Sequence, residues 1–280
     1  MTNHRPGAPG QVKEVTSTAN PIVKDIRALA VKKYRDQTGT FMAEGLKLVI
    51  EALDLGWTIR TLVIAKSGKA NPAVGKVAAR TVAAGGLVLE ASEKVLTAIT
   101  RRDNPQAVLG VFEQRYRPLA EISPQPGEVW VALDRVRDPG NLGTIVRTAD
   151  AVGASGVILV GDTTDPFSME AVRASMGSIF AVPLARAEAG AFLGWRAAVG
   201  GIMVGTHLKG AVDYREIAYE PGPVVLLMGN EQQGLPDDLA KACDTLALIP
   251  QAGRADSLNL SVATAVMLYE VRRAALKVKA

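Results

Sequence analysis

Apolar positions recur along this chain in two rhythms. In the first part, Ile22, Ile26 and Leu29 keep helical spacing and predict a helix over Pro21–Arg35. Asn20 can cap that helix, and Pro21 suits its first turn. Short apolar runs predict strands at Thr40–Ala43, Ile59–Ala65, Leu87–Leu89 and Ala107–Phe112. Helical patterns at Leu46–Leu55, Pro72–Ala84 and after Ser92 lie between them. This alternation describes a small α/β domain over residues 16–115. Residues 1–15 show no such pattern and read as a flexible tail. Between Arg117 and Glu128 three prolines and a glycine break the rhythm, so 116–127 reads as a linker.

Over 128–280 the alternation is clearer. Strands are expected at Val129–Leu133, Val157–Val160, Ile202–Gly205, Val224–Met228 and Thr245–Ile249. Helices are expected at about Asn141–Val152, Ser168–Met176, Ala187–Val199, Pro236–Ala242 and Leu258–Ala275. Short apolar strands separated by helices predict a parallel sheet covered on both faces. Ligands of such sheets bind beyond the carboxyl ends of the strands. The loops after Leu133, Gly205, Met228 and Ile249 are therefore where chemistry is expected.

Composition narrows the class. The 280 residues are 48% hydrophobic, enough for sizeable cores. No apolar run approaches the ~20 residues of a membrane span, and the N-terminus lacks the apolar segment of a signal peptide, so a soluble cytoplasmic protein is expected. One cysteine, Cys243, excludes an internal disulfide. With only His4 and His207 beside it, no metal site is expected. The net charge of +4 hides an asymmetry: residues 1–115 carry 17 Lys and Arg against 10 Asp and Glu, and the remainder is net acidic. A basic first half points to a polyanionic partner. On its first helix Lys24, Arg27, Lys32, Lys33 and Arg35 are the candidate nucleic-acid contacts.

The four loops carry the candidate chemistry. After Leu133 comes "DPGNLGTIVRTA", Asp138 to Ala149, in which Asn141 can cap a helix whose buried stripe is Leu142, Ile145, Val146, Ala149 and Val152. Arg147 falls off that stripe and faces solvent, a ligand or a partner chain. His207, in "THLKGA" after Gly205, reads more readily as a surface residue than as a base. After Met228, "GNEQQGLP" offers Gly229 and Gly234 for close backbone approach and the carboxylate of Glu231. It lacks the Lys and Ser/Thr of a P-loop, and a plain strand-to-helix turn remains an equal reading. After Ile249, "PQAGRADSLNLS" places Ser257 as a cap for the last helix and Asn259 in its first turn, where an amide can face a ligand. That helix is apolar on more than one face, through Leu258, Val262, Ala265 and Tyr269 and through Leu260, Met267 and Val271. Burial within one chain and contact with a second copy both fit. The turn after Leu133 does not match G-x-G-x-x-G, which argues against a dinucleotide-binding oxidoreductase.

Jointly these segments resemble the TrmH/SpoU branch of the SPOUT superfamily of RNA methyltransferases. "NLGTIVRTA" is similar to its first motif, N-x-G-x-x-x-R-S/T-A. "LLMGNEQQGL" is similar to its second, and "IPQAGRADSLNLSVATAVMLYE" to its third. "NPIVKDIRAL" and "FMAEGLKLVIEAL" resemble the small substrate-binding domain of ribosomal RNA members. The resemblance implies a parallel-sheet SPOUT domain with a deep trefoil knot, preceded by a small α/β RNA-binding domain. It implies a homodimer that transfers the S-adenosylmethionine methyl group to a ribose 2′-hydroxyl, in 23S ribosomal RNA more than in transfer RNA. A catalytically silent RNA-binding protein of this fold is the alternative. The knot loops would be Thr206–Gly210, Gly229–Gly234 and Ile249–Leu258, with Thr206, Gly229, Asn230, Gly234, Ile249 and Leu258 at the cofactor. Arg147, Asn141, Glu231, Ser257 and Asn259 match the catalytic positions, Arg147 and Asn141 serving the site whose cofactor the partner chain holds.

Overall fold

The computed structural model describes residues 10–208 and 212–278. The chain runs β1 (Gln11–Val15), α1 (Pro21–Ala28), α2 (Lys32–Thr38), β2 (Thr40–Glu44), α3 (Leu46–Asp54), β3 (Ile59–Ala65), α4 (Pro72–Ala83), β4 (Leu87–Ala91), α5 (Glu93–Thr100) and β5 (Val108–Glu113). It continues through β6 (Val129–Asp134), α6 (Pro139–Ala151), β7 (Gly156–Val160), α7 (Met169–Ala174), β8 (Leu184–Ala187), α8 (Ala189–Ala198) and β9 (Ile202–Thr206). The last elements are β10 (Val212–Asp213), β11 (Val224–Met228), α9 (Asp237–Lys241), β12 (Thr245–Leu248) and α10 (Leu260–Val271). Two compact units result, 1–114 with 167–180, and 115–166 with 181–280.

The first unit is a five-stranded sheet of order β1-β4-β3-β5-β2. β1, β3 and β4 run parallel; β5 is antiparallel to β3 and β2. The expected tail thus ends earlier than residue 15, because Gln11–Val15 pairs along β4. Only Val15 of β1 is buried, so this edge strand carries no apolar alternation to announce it. The helix expected over Pro21–Arg35 is two helices. The N–H groups of Ala30 and Val31 turn back to Arg27 and Ala28, and the Arg35 guanidinium donates to the Leu29 carbonyl at 2.7 Å. Arg35 is 3% exposed, which removes it from the candidate nucleic-acid contacts. Its charge is spent on closing the end of α1. Lys24, Arg27, Lys32 and Lys33 are exposed.

Segment 167–180 packs into this first unit although it follows β7 in sequence. Phe167 lies 4.5 Å from Phe41, ring centre to ring centre, and Phe180 stands edge-on to Trp57 at 5.2 Å. The Trp57 indole donates to the Phe180 carbonyl at 2.8 Å. Arg173, on α7, bonds at 2.9 Å to the Glu44 carboxylate, which also accepts from the Gln106 N–H. Aromatic pairs of this kind add about 0.5–1.5 kcal/mol each beyond the area they bury.

The second unit is a seven-stranded sheet of order β10-β12-β9-β11-β6-β7-β8, parallel at every pairing. Trp130, Ala132, Ile158, Val225 and Leu227 form one face and pack with Phe192, Trp195 and Leu239 of α8 and α9. Strand alternation turns Val131, Leu133 and Leu226 to the other face, where α10 packs against β11 and α6. β8 and β10, missed in the sequence, are edge strands of four and two residues. The carboxyl ends of β6, β9, β11 and β12 stand side by side.

Phe167→Ala is expected to destabilise the first unit by about 3–5 kcal/mol, the usual cost of emptying an aromatic core site. Urea unfolding followed by Trp57 fluorescence, in a Trp130→Phe/Trp195→Phe background, measures it; an unchanged midpoint would place 167–180 outside that core.

Candidate functional site

The four loops expected to carry chemistry meet in one cleft of about 1170 Å³ at the carboxyl edge of the seven-stranded sheet. It is lined by Thr206, Gly229, Asn230, Gly234, Ile249 and Leu258, and by Asn141, Glu231, Ser257 and Asn259. Arg137, Asp138, Gln233, Asp237 and Asp256 line it too and were not singled out in the sequence. Positions 209 and 210 of the first expected knot loop, like His4, lie outside the described residues.

The start of α6 is built differently from the expectation. Asp138, not Asn141, is the N-cap: its carboxylate accepts from the Asn141 N–H at 2.6 Å, and Pro139 fills the first helical position. The Asp-Pro pair was the available signal. Asn141 is thereby freed to use its side chain in the cleft. The last helix is also capped by a different residue. Asn259, not Ser257, precedes α10, and its Oδ1 accepts from the N–H of Ser261 and Val262. Asn259 therefore lies outside the first helical turn, and Ser257 stands exposed on the loop before it.

These two capping arrangements fix a polar relay. Asn259 Oδ1 is committed to α10, so its Nδ2 must donate, and Asn141 Oδ1 accepts it at 3.0 Å. Asn141 Nδ2 then points at Glu231 Oε1, 3.4 Å away. Glu231 also faces the backbone N–H groups of Arg137 and Asp138 at 3.3–3.4 Å. A carboxylate beside N–H groups at a helix start is favourably placed, since those groups lack helical partners and carry the positive end of the dipole.

The loop carrying Glu231 is closed on itself. Asn230 and Gly234 exchange both backbone hydrogen bonds, at 3.1 and 2.9 Å. Gly234 takes φ +67°, and a Cβ at Gly229 would fall 2.5 Å from the Gly234 carbonyl carbon and the Leu235 nitrogen. Gly229 is thus needed first by the turn itself, before any ligand. Asn230 completes it: Oδ1 accepts from the N–H of Gln232 and Gln233, and Nδ2 donates to the Arg135 carbonyl at 2.8 Å.

Arg147 is the predicted residue that this cleft does not gather. It lies six residues past Asn141, about 9 Å along the helix and turned well away from it. The side chain is exposed and makes no hydrogen bond or ion pair with the described residues. It stands on the exposed side of α6, the helix against which α10 packs. α10 keeps Val262 49% and Tyr269 55% exposed on one side, while Leu260, Met267, Leu268 and Val271 are buried. Cys243 offers no nucleophile: burial, aided by Asp244, pushes its thiol up to about 12, and Sγ donates to the Leu239 carbonyl. Among the described residues no three His, Cys, Asp or Glu side chains gather as a metal site, and no helix is long and apolar enough to cross a membrane.

Known proteins are similar to this chain in sequence and fold. Residues 128–269 match the model of the SpoU rRNA Methylase family, and residues 20–110 that of the MRM3-like substrate binding domain. The chain is 68% identical to an AdoMet-bound rRNA methyltransferase from Sinorhizobium meliloti, with a TM-score of 0.92 over 96% of this chain and 100% of that one. It is 32% identical to the 23S rRNA (guanosine(2553)-2′-O)-methyltransferase RlmP of Bacillus subtilis, over 93% of this chain and all of that protein. It is 33% identical to the 23S rRNA (uridine(2479)-2′-O)-methyltransferase of Streptomyces viridochromogenes, over 88% of this chain and 86% of the other.

The turn's dependence on glycine is open to a direct test. Gly229→Ala sets a methyl group against backbone that cannot yield, a strain of about 1–3 kcal/mol. The thermal midpoint should fall, and the amides of Asn230 and Gly234 should exchange faster with solvent. Unchanged exchange would mean that the turn does not need glycine there.

Proposed function

The chain belongs to the SpoU rRNA methylase family, and we propose that it is an S-adenosylmethionine-dependent RNA methyltransferase that modifies a ribose 2′-hydroxyl of 23S ribosomal RNA. It works as a cytoplasmic homodimer. One observation carries the reading: residues of three motifs, spread from Asn141 to Asn259, line a single cleft at the carboxyl edge of the parallel sheet. Two of the three named relatives act on 23S rRNA and the third is an rRNA methyltransferase, which supports the ribosomal substrate. The sheet order, with β12 returning beside β9, supports a knotted path through the same loops.

The residues present suit the cofactor. The cleft exceeds the 300–1,000 Å³ usual for small-ligand sites. It sets apolar Met228, Ile249 and Leu258 beside exposed loop backbone and the Glu231 carboxylate, a mixture suited to a flat base and a cationic centre. Ile249, Leu258 and Gly229 would hold the adenosine end largely through backbone groups, with Thr206, Asn230 and Gly234 around them. When bound, S-adenosylmethionine supplies an electrophilic methyl group on a sulfonium that is already a good leaving group.

What the chain must add is alignment and loss of the hydroxyl proton. Asn141, held between Glu231 and Asn259, presents a fixed amide at the cleft wall; Ser257 adds a hydroxyl. Arg147 grips the phosphate next to the target ribose and stabilises negative charge growing on the 2′-oxygen. A guanidinium hardly deprotonates, so the proton leaves to a phosphate oxygen or to water. Because Arg147 stands outside its own chain's cleft, it acts on the partner's site. The exposed Val262 and Tyr269 on the neighbouring helix support that face as the contact between copies. Asn141 lines the cleft of its own chain, so its role there needs no partner.

Arg147→Ala should lower kcat by about 10²–10³, the loss typical of one charge-stabilising donor, while S-adenosylmethionine binding stays intact. Calorimetry and methyl incorporation into rRNA read the two separately; full activity would remove Arg147 from the mechanism. Coexpressed with a variant that cannot bind cofactor, Arg147→Ala should regain activity in mixed dimers, since the second chain supplies an intact arginine. Mixed dimers without activity would return Arg147 to its own chain's site.

Joint replacement of Lys24, Arg27, Lys32 and Lys33 by Ala should weaken RNA binding and flatten its salt dependence. The slope should change by about 0.7–0.9 for each cation that meets a phosphate. Fluorescence anisotropy on an rRNA fragment across a salt series measures this, and an unchanged slope would move the RNA to another face.

A further inference from the structure

Arg135 holds a backbone conformation that costs an L residue something, φ +46°, where glycine would sit without strain. An arginine kept in such a place implies work for its side chain. The work is visible. The guanidinium clasps the carboxylate of Asp134, which is buried at the end of β6, with Nε and Nη2 at 2.8–3.2 Å. Nη1 reaches across to Gln233 Oε1 at 3.1 Å, on the loop between β11 and α9. From the same residue the backbone carbonyl accepts from Asn230 Nδ2. One residue thus ties the 229–234 turn at two points to the end of β6, and the second point is the side chain that shapes the turn from within.

We propose that Arg135 is a positioning residue for S-adenosylmethionine: it fixes the 229–234 turn against β6, so that Gly229, Asn230 and Glu231 meet the cofactor already in place. The assignment rests on the cofactor reading above. A preorganised loop spares the ligand the entropy of ordering it, so the benefit appears in affinity and not in the methyl-transfer step. The buried Asp134 carboxylate engages Nε and Nη2 of the guanidinium, and Nη1 is left to bind Gln233.

The test uses the full chain and S-adenosylmethionine itself. Arg135→Gly accepts φ +46° and removes both the carboxylate clasp and the Gln233 contact; Gln233→Ala removes the contact alone. Calorimetry should show about tenfold weaker binding for Arg135→Gly and about threefold for Gln233→Ala, as expected for lost charged hydrogen bonds. KM for the cofactor should rise while kcat at saturation holds. The amides of Gln232, Gln233 and Gly234 should exchange about tenfold faster, with those of β11 still protected. Unchanged affinity and unchanged turn exchange in both variants overturn the proposal. So does a joint fall of kcat, affinity and β11 protection, which marks a merely structural residue. If Arg135→Gly fails to fold, Gln233→Ala decides alone. A wild-type chain that binds no S-adenosylmethionine sinks the cofactor reading instead, and turn exchange then tells whether Arg135 sets the loop.

Discussion

The first turn of α6 leaves backbone N–H groups with no partner inside the helix, and how they are met shapes the cleft. Asp138 takes one of them. Glu231 approaches two more just ahead of the helix, from a loop some ninety residues later. That choice draws the β11 loop onto the β6 loop, and it frees the Asn141 side chain from capping. Asn141 then joins Glu231 to Asn259, which caps α10. Two helix starts and one carboxylate therefore lock one another. Neither amide can flip without losing its partners, because the oxygen and the nitrogen of each are already engaged.

Much of this is legible in the sequence, for a physical reason. A parallel sheet buried on both faces writes its strands as apolar runs and its helices as stripes, so the apolar pattern alone locates the four strand ends and their loops. The caps are misread at both helices because Asn and Ser are good caps in isolation. The deciding facts are Pro139, which pushes the cap back to Asp138, and the three donors that Asn259 satisfies around Ser261 and Val262. Edge strands escape because their outer residues need not be apolar: β1 buries one residue in five, and β10 is two residues long.

Other features depend on contacts too distant in sequence to be read. Arg35 looks like one more surface cation on a basic helix, yet it spends its charge on Leu29 six residues back, where the helix breaks. Segment 167–180 has an ordinary helical pattern; nothing local says that Phe167 and Phe180 complete an aromatic cluster with Phe41, Trp57 and Phe112. The consequence is that the two units are not two successive stretches of chain. The polypeptide leaves the first unit at residue 114, returns to it for 167–180, and leaves again.

The same helix poses the remaining geometric problem. α6 brings Asn141 to the cleft at its first turn and Arg147 to its outer side nearly two turns later. A rigid helix cannot turn both toward one point: six residues rotate the second by about 240° relative to the first. A chain that needs an amide and a guanidinium at one ribose must obtain them from two copies of α6, or move the helix. Moving it would break the relay through Glu231 and Asn259 and expose the buried stripe of Leu142, Ile145, Val146 and Ala149. On the proposed reading, pairing copies would leave the relay intact and would cover the side of α10 on which Val262 and Tyr269 are exposed. Dimerisation then follows from the rigidity of one helix start: what fixes Asn141 in its own cleft is what makes Arg147 available to another.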